Sequence, residues 1–438
     1  MLLRASELAD ACAGRLLGPD VAVRGASFDS RTVEAGELFV PVVAERDGHA
    51  FVRAAVDAGA VAYLTSAGVV DDRATAIEVG DTAEALMALG RLARGRLGDR
   101  VVGITGSVGK TTVKDLAHSV LSRTWRTTAN LRSFNNELGL PTTLLDAPDD
   151  TQAVVIEMGM RGFGEIARLC EVGRPTVGVI TVIGEAHIGR VGGTLEGVAR
   201  AKGELVEALP SGGTAILNAE QPFVAGLAGR TVARVLTFGR GVGDVQADTI
   251  ELDDLARPRF TLRSPWGATQ VTLGVSGAHN AANAAAAAAV GLSLGVPLDA
   301  VAQGLATATV SPWRMELART AAGALVMNDT YNANPTSVLA ALDALAALPG
   351  GGRRVALLGP MAELGDDAAE RHVMVAAYAA ERGVEVIAVG TPDYGVAACA
   401  SHDDALAALG PLRPMDAVLV KGSRVAALER LVSRLLQA

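Results

Sequence analysis

The chain has 438 residues, enough for two to four domains, and half of them are apolar. Its net charge of −9, its pI of about 5.3 and the absence of a basic stripe with interleaved aromatics argue against a nucleic-acid partner. The positive mean hydropathy (+0.31) owes much to alanine, and no 18-residue apolar run is free of polar breaks, so no membrane span is expected.

Near the N-terminus, Arg4, Glu7 and Asp10 sit in an amphipathic helix pattern rather than a secretory signal. Cys12, Cys170 and Cys399 are odd in number, scattered and without metal spacing, which fits a reduced cytosolic protein. Residues 1–82 read as a small α/β unit. It contains Ala26–Arg31, a strand ending at Glu37–Pro41, the string Arg46-Asp47-Gly48-His49, a helix through Ala58 closed by Gly59, and a strand at Val61–Thr65. A helix from Thr82 to Gly95 leads into a second unit, 83–312, with strands at Val101–Thr105, Ala153–Met158, Thr176–Ile183, Thr214–Asn218 and Val232–Phe238. Helical patterns alternate with these strands, so a doubly wound, mainly parallel sheet is expected. Residues 245–275 read as a small antiparallel insert, and an alanine-rich helix follows. Residues 313–438 repeat the strand–helix rhythm with strands at Ala324–Asp329, Arg354–Leu358, Val384–Val389 and Ala417–Val420, a second Rossmann-like sheet.

The most informative stretch is Val101–Thr112. An apolar strand runs into Gly106, Ser107, Val108, Gly109, Lys110, Thr111 and Thr112, and an amphipathic helix follows. Strand, glycine turn and helix start form the context of a phosphate-binding loop. Backbone N–H groups converge on an anion, the helix N-terminus adds partial positive charge, Lys110 reaches phosphate and the Thr111 hydroxyl can ligate magnesium. The usual first glycine of such a loop is replaced by Ile104, which marks a shortened variant, TGxxGKTT.

Polar residues recur where parallel strands end, the place where ligands bind in such sheets. Glu157 ends one strand, and a carboxylate there suits magnesium. His187 lies between glycines just past another. Among 39 lysines and arginines only Lys110, Lys114, Lys202 and Lys421 are lysines, so each is a candidate for chemistry that arginine cannot perform. Lys202 can take up carbon dioxide as a carbamate, which would join Glu157 and His187 in a second magnesium site, or it can serve as a plain cation. Asn135 and Asn136 precede a Gly–Pro turn and could orient phosphate oxygens. Asp329 follows a strand and can take a ribose hydroxyl. Glu363 and His372 follow the next strand, and Lys421 ends the last.

Together these strings resemble the Mur ligases, ATP-dependent amide-forming enzymes of peptidoglycan precursor synthesis. TGSVGKTT, NNELGLP, EMGM, GEAHIG, the Lys202 helix, GAHNAAN, NDTYNANP, LGPMAELG and LVKGSR occur in the family's order across residues 29 to 424. YNANP and EMGM, with the N-terminal DSR…DGH pair, look most like the branch that joins D-alanyl-D-alanine to UDP-N-acetylmuramoyl-tripeptide. The Asp-Asn-Pro-Arg string of the branch adding the third amino acid is missing. A folylpolyglutamate-type synthetase is the nearest rival, and a P-loop switch or motor ATPase is a more distant one.

The resemblance implies an N-terminal domain for the UDP-muramoyl-tripeptide, a central ATP domain, and a C-terminal domain for the dipeptide and part of the nucleotide. It implies ATP and two magnesium ions and an acyl-phosphate intermediate; a cytoplasmic monomer is expected. Carried onto this chain, Lys110 holds the transferring phosphate, with His187 and Lys202 beside it in the catalytic centre. Thr111 and Glu157 ligate the first magnesium, and His187 and Lys202 the second. Gly106 to Thr112, Asn136 (or Asn135), Asn280, Arg314 and Asp329 contact ATP. Ser30, Arg31, Asp47, Gly48 and His49 form the uridine-nucleotide pocket, and Asn332 and Asn334 contact substrate. Three positions depart from the family pattern: Trp313 stands where glycine is usual, Asn328 where an acid is frequent, and Phe163 where proline is usual. The first bears on the hinge before Arg314.

Overall fold

The computed structural model describes residues 1–130, 134–362 and 364–437, which leaves Glu363 outside. Three α/β units follow one another. In the first, a five-stranded sheet runs in the order Arg15–Leu17, Thr75–Glu78, Ala62–Thr65, Leu38–Phe39, Ala26–Ser27. Its last four strands are parallel and Arg15–Leu17 is antiparallel. Leu2–Arg4 and Ala22–Arg24 form a separate antiparallel pair. The helix Thr82–Gly95 starts where the sequence places it, because the Asp81 carboxylate accepts from the N–H groups of Ala83 and Glu84 at 2.8 and 3.0 Å.

The central sheet has nine strands, in the order Gly267–Thr272, Pro258–Ser264, Val245–Leu252, Arg234–Arg240, Thr214–Asn218, Val177–Ile180, Arg100–Thr105, Ala153–Glu157, Thr127–Ala129. The seven from Val245–Leu252 onward are parallel, and the other two antiparallel. The expected antiparallel insert is thus the edge of the same sheet. It joins because Val245, Ala247, Phe260, Leu262 and Val271 alternate inward onto one core with the helix Asn280–Ser293. Along the buried strands the side chains divide by period two. Val154 and Ile156 face the core shared with the helices Gly139–Asp146, Glu165–Gly173 and Leu195–Glu207, whereas Ala153 and Val155 face that of Lys110–Leu121 and Asn280–Ser293. The alanine run Ala284–Ala289 is fully buried and lets its helix lie close against the one starting at Lys110.

Strand order reverses at Arg100–Thr105: the next two strands of the chain lie to one side of it, the following ones to the other. That reversal opens a crevice at the carboxyl ends of the strands. The strand expected over Thr176–Ile183 leaves the ladder after Ile180, and Thr181 turns to bond the phosphate-loop backbone, its hydroxyl donating to the Val108 carbonyl at 2.6 Å. The first unit docks on the central one through a shared core, and the Ala26 N–H donates to the Asp146 carboxylate at 3.0 Å.

The third unit holds six strands in the order Glu316–Arg319, Leu325–Asn328, Ala417–Lys421, Arg354–Leu358, Glu385–Val389, Ala398–Cys399, parallel except for the first. The helix Pro335–Ala347 opens on Asn334, whose side chain caps the Ser337 N–H at 3.0 Å. The connection between central and third units is pinned where the Ser311 N–H meets the Asp115 carboxylate at 2.6 Å.

Asp146 gives this docking a pH dependence. Burial raises its pKa from 3.8 to about 6, with Glu37 adding to the rise and the Ala26 hydrogen bond opposing it. The folded state therefore holds the proton more tightly than the unfolded chain. Stability falls as pH rises from about 4 to about 6, and the cost is complete above that. Asp146→Asn keeps the acceptor and removes the charge. It should stabilise the protein over the parent in denaturant unfolding at pH 7.5, by an amount cut down by solvent screening at this exposed side chain, and by almost nothing near pH 4.

Candidate active site

The phosphate-type loop is built around two glycines with positive φ, Gly106 at +150° and Gly109 at +88°. A Cβ on Gly106 would lie 2.0 Å from Thr181 Oγ1, and one on Gly109 would lie 2.7 Å from Asn283 Oδ1. Ile104 is fully buried in the strand, which continues to Thr105 and so shortens the loop. The helix Lys110–Leu121 begins without a side-chain cap, so its first N–H groups are oriented to receive an anion. Lys110 folds back over the loop, its Nζ donating to the Gly106 carbonyl at 2.7 Å.

Glu157 ends the neighbouring strand and is 1% exposed. Its carboxylate accepts from Thr111 Oγ1 at 2.5 Å and Asn135 Nδ2 at 2.8 Å, and its backbone N–H donates to Asn130 Oδ1 at 2.9 Å. A hydroxyl and a carboxylate side by side are a hard-oxygen pair that suits magnesium, which keeps other ligands from water or phosphate. Among the described residues no three His, Cys, Asp or Glu side chains gather to hold a metal by themselves.

His187 has a left-handed backbone (φ 64°) at the start of the short turn Ile188–Arg190. Its pKa is pushed down to about 4, first by burial and then by the nearby charges of Lys202 and Lys110, so its imidazole is neutral at physiological pH. Lys202 is 1% exposed within the helix Leu195–Glu207, whose start is capped by Thr194.

The third unit supplies the facing wall. Lys421 Nζ donates to Asp329 Oδ2 at 2.5 Å and to the Asn332 carbonyl at 2.8 Å, and Asp329 Oδ1 accepts from the Met315 N–H at 3.2 Å. The Arg314 guanidinium stacks over the Tyr331 ring at 4.2 Å. Trp313 adopts φ 65°, so the left-handed backbone that suits glycine persists here with a tryptophan, over whose ring Arg424 lies at 4.5 Å.

One cavity of about 230 Å³ gathers most of the residues singled out in the sequence. Ser107 to Thr112, Glu157 and His187 line it from the central unit, and Arg314, Asp329, Asn332, Asn334 and Lys421 from the third. Asn135, not Asn136, reaches it. Asn136 instead caps the next helix, accepting from the Gly139 N–H at 3.0 Å. Asn280 is also outside: it is buried, donating to the Ser276 carbonyl at 2.7 Å and accepting from Asn283 at 2.7 Å. Gly106 and Lys202 do not line the cavity either. The residues that sequence reasoning missed are His279, Asn283 and Tyr331. Asn283 stands one helical turn after Asn280 in GAHNAAN, a spacing that could have marked it.

The N-terminal group forms a second locus. Arg31 pairs with Asp29 at 2.6 Å, and Asp47 accepts from the His49 N–H at 2.9 Å. His49 is 7% exposed. Its Nε2 accepts from the Ser66 N–H at 3.0 Å, which puts the proton on Nδ1, 2.6 Å from Asp47. A Cβ on Gly48 would lie 2.5 Å from the Val42 nitrogen. This locus reaches the central unit through the edge-to-face pair Phe28–Phe134, with centroids 5.6 Å apart.

Comparison with known proteins places this geometry. Residues 104–291 match the model of the Mur ligase middle domain, and residues 313–424 match that of the Mur ligase, glutamate ligase domain. The UDP-N-acetylmuramoyl-tripeptide--D-alanyl-D-alanine ligase of Mycobacterium tuberculosis is 39% identical over 92% of this chain and 90% of its own. Its counterpart in Escherichia coli is 36% identical over 98% and 97%. A crystal structure of MurF from Acinetobacter baumannii superposes with a TM-score of 0.90 at 32% identity, covering 100% of this chain and 99% of that one. The MurF ligase from Thermotoga maritima in complex with ADP gives 0.80 at 26% identity over 94% and 97%.

The Lys421–Asp329 pair is nearly enclosed, with side chains 3% and 14% exposed. Lys421→Met should leave the carboxylate without its partner and cost about 3–5 kcal/mol in denaturant unfolding. Adding Asp329→Asn should restore much of that loss.

Proposed function

The chain belongs to the Mur ligase family, and we propose that it joins D-alanyl-D-alanine to UDP-N-acetylmuramoyl-tripeptide, using ATP and releasing ADP and phosphate. The observation that carries this reading is the single cavity in which the glycine loop, Lys110, Thr111 and Glu157 face Arg314, Asp329 and Lys421. The shared name of the full-length relatives supports the choice of branch.

In this reading ATP lies in the cavity with its phosphates on the loop N–H groups and Lys110. Asp329 takes the ribose, and Arg314 lies on the phosphate side. Asn135, rather than Asn136, is the amide beside the phosphates, and Asn280 acts through Asn283 at the cavity wall. The N-terminal locus of Ser30, Arg31, Asp47, Gly48 and His49 receives the uridine nucleotide. There Gly48 gives close backbone approach, and His49 shapes the turn rather than offering a free ring nitrogen. Asn332 and Asn334 line the third unit's side of the substrate space.

Thr111 and Glu157 would hold one magnesium ion, which when bound neutralises phosphate charge. A neutral imidazole and an ammonium lack the anionic oxygen that a second ion prefers. His187 and Lys202 therefore fit one only if Lys202 carries a carbamate; as an amine, Lys202 supplies the positive charge itself.

The reacting groups are anions, a carboxylate and the γ-phosphate, and their approach needs fixed cations and donors in a site poor in water. Lys110 and the loop amides are in place before reaction, so little reorganisation is needed. The carboxylate oxygen bonds to the γ-phosphorus as the bond to ADP breaks. The dipeptide amine then adds to the acyl carbon, the tetrahedral adduct expels phosphate, and the amine proton is lost. The third unit covers the cavity and protects the acyl phosphate from hydrolysis. Two nucleotide substrates support action in the cytoplasm. Among the described residues no helix is long and apolar enough to cross a membrane.

The test is incubation with ATP, UDP-muramoyl-tripeptide and either D-alanyl-D-alanine or single amino acids. One ADP and one phosphate should appear per amide formed with the dipeptide; turnover only with a single amino acid would refute the assignment. Lys110→Ala should lower kcat by at least about 10²–10³-fold. Lys202→Arg should lose most activity, and if a carbamate is used the parent enzyme should respond to bicarbonate whereas the variant should not.

A further inference from the structure

A second cavity, of about 390 Å³, shares His187 with the first. Its other walls are Arg161, Gly189 and Arg190 from the central unit and Ala362 and Gly365 from the third. It therefore adjoins the reacting centre and lies between the two units, yet the ATP reading above leaves it unused.

The loop that carries Arg190 is fixed at both ends. Glu185 pairs with Arg371 of the helix Ala368–Glu381 at 3.0 Å, which ties the loop to the third unit. Val191 is 1% exposed, and its carbonyl oxygen lies 1.8 Å from where a Cβ on Gly197 would stand, so the loop is seated on the Lys202 helix. Between these anchors the Arg190 N–H donates to the His187 carbonyl at 3.0 Å, and its side chain projects to solvent at the cavity. Arg161 is already neutralised by Glu137 at 3.0 Å and Glu165 at 3.8 Å. Arg190, among the described residues, has no ion pair and no side-chain hydrogen bond. Both guanidinium groups lie close enough to His187 to contribute to its lowered pKa.

The dipeptide acceptor presents an amine, one amide, two methyl groups and one carboxylate. It must enter amine first, so its carboxylate points away from the acyl carbon, up to about 7 Å along an extended two-residue chain. That carboxylate approaches a centre already crowded with phosphate and carboxylate charge, and needs a cation of its own. A guanidinium can bind it through two parallel hydrogen bonds. Resting on the functional reading above, we infer that Arg190, with Arg161 beside it, binds the terminal carboxylate of the dipeptide acceptor in this second cavity. Arg190 is thus a specificity residue for the acceptor and leaves ATP and the activated carboxylate to the first cavity.

The experiment is steady-state kinetics on the full chain for the parent, Arg190→Ala and Arg190→Lys, with D-alanyl-D-alanine and with its C-terminal amide as acceptors. The parent should show a KM for the amide at least tenfold above that for the dipeptide. Arg190→Ala should raise the dipeptide KM by a similar factor, treat dipeptide and amide alike, and leave the KM values for ATP and UDP-muramoyl-tripeptide within twofold. Arg190→Lys should fall between. A rise confined to the tripeptide KM would assign Arg190 to a carboxylate of that substrate and overturn the inference. So would a parent enzyme that does not distinguish dipeptide from amide, a comparison that needs no variant to fold. If the parent forms no amide with the dipeptide, the functional reading fails and this inference with it; product from the parent with an unchanged dipeptide KM in Arg190→Ala overturns the inference alone.

Discussion

The structure depends on holding a carboxylate where almost no water reaches it. Glu157 is buried at a strand end, and it is satisfied by a threonine hydroxyl from the phosphate loop and an asparagine amide from the next segment. Removing a carboxylate from water is costly unless such donors surround it. The same donors make the residue useful. They fix its oxygens beside the helix start at Lys110, so the negative charge that can attract a cation and the positive charge that can attract phosphate are set against each other by the sheet itself.

The three units serve this arrangement in different ways. The first shares a core with the central sheet, so the N-terminal locus and the loop belong to one packed body. The third is attached through the segment around Ser311 and Trp313, and meets the central unit through polar contacts, Glu185 with Arg371 among them, and through Leu255 and Ala256, which pack into the third unit's core. The cavity lies at the second interface, where substrates must enter and water must afterwards be kept out.

Much of this was legible in the residues. The phosphate loop can be read because glycine, lysine and threonine follow an apolar strand and precede a helical pattern, so that strand, turn and helix agree. Helix Thr82–Gly95 can be read from Asp81 and the spacing of its apolar face. What could not be read depends on tertiary register. Asn135 and Asn136 are adjacent and alike, and only the fold turns one toward Glu157 and the other toward a helix start. Asn280 and Asn283 lie on one helix face, and depth alone decides that Asn283 lines the cavity. The residues 245–275 show alternation, but only their pairing with Arg234–Arg240 makes them an extension of the main sheet. The short edge strands Glu316–Arg319 and Ala398–Cys399 carry too few residues to show a period.

The claim at the centre of this account is that the tripeptide carboxylate is phosphorylated before the amide forms. It is tested most directly by labelling that terminal carboxylate with oxygen-18 and examining the phosphate released. The account predicts one labelled oxygen carried from carboxylate to phosphate for each amide formed. Unlabelled phosphate accompanying full amide formation would contradict it.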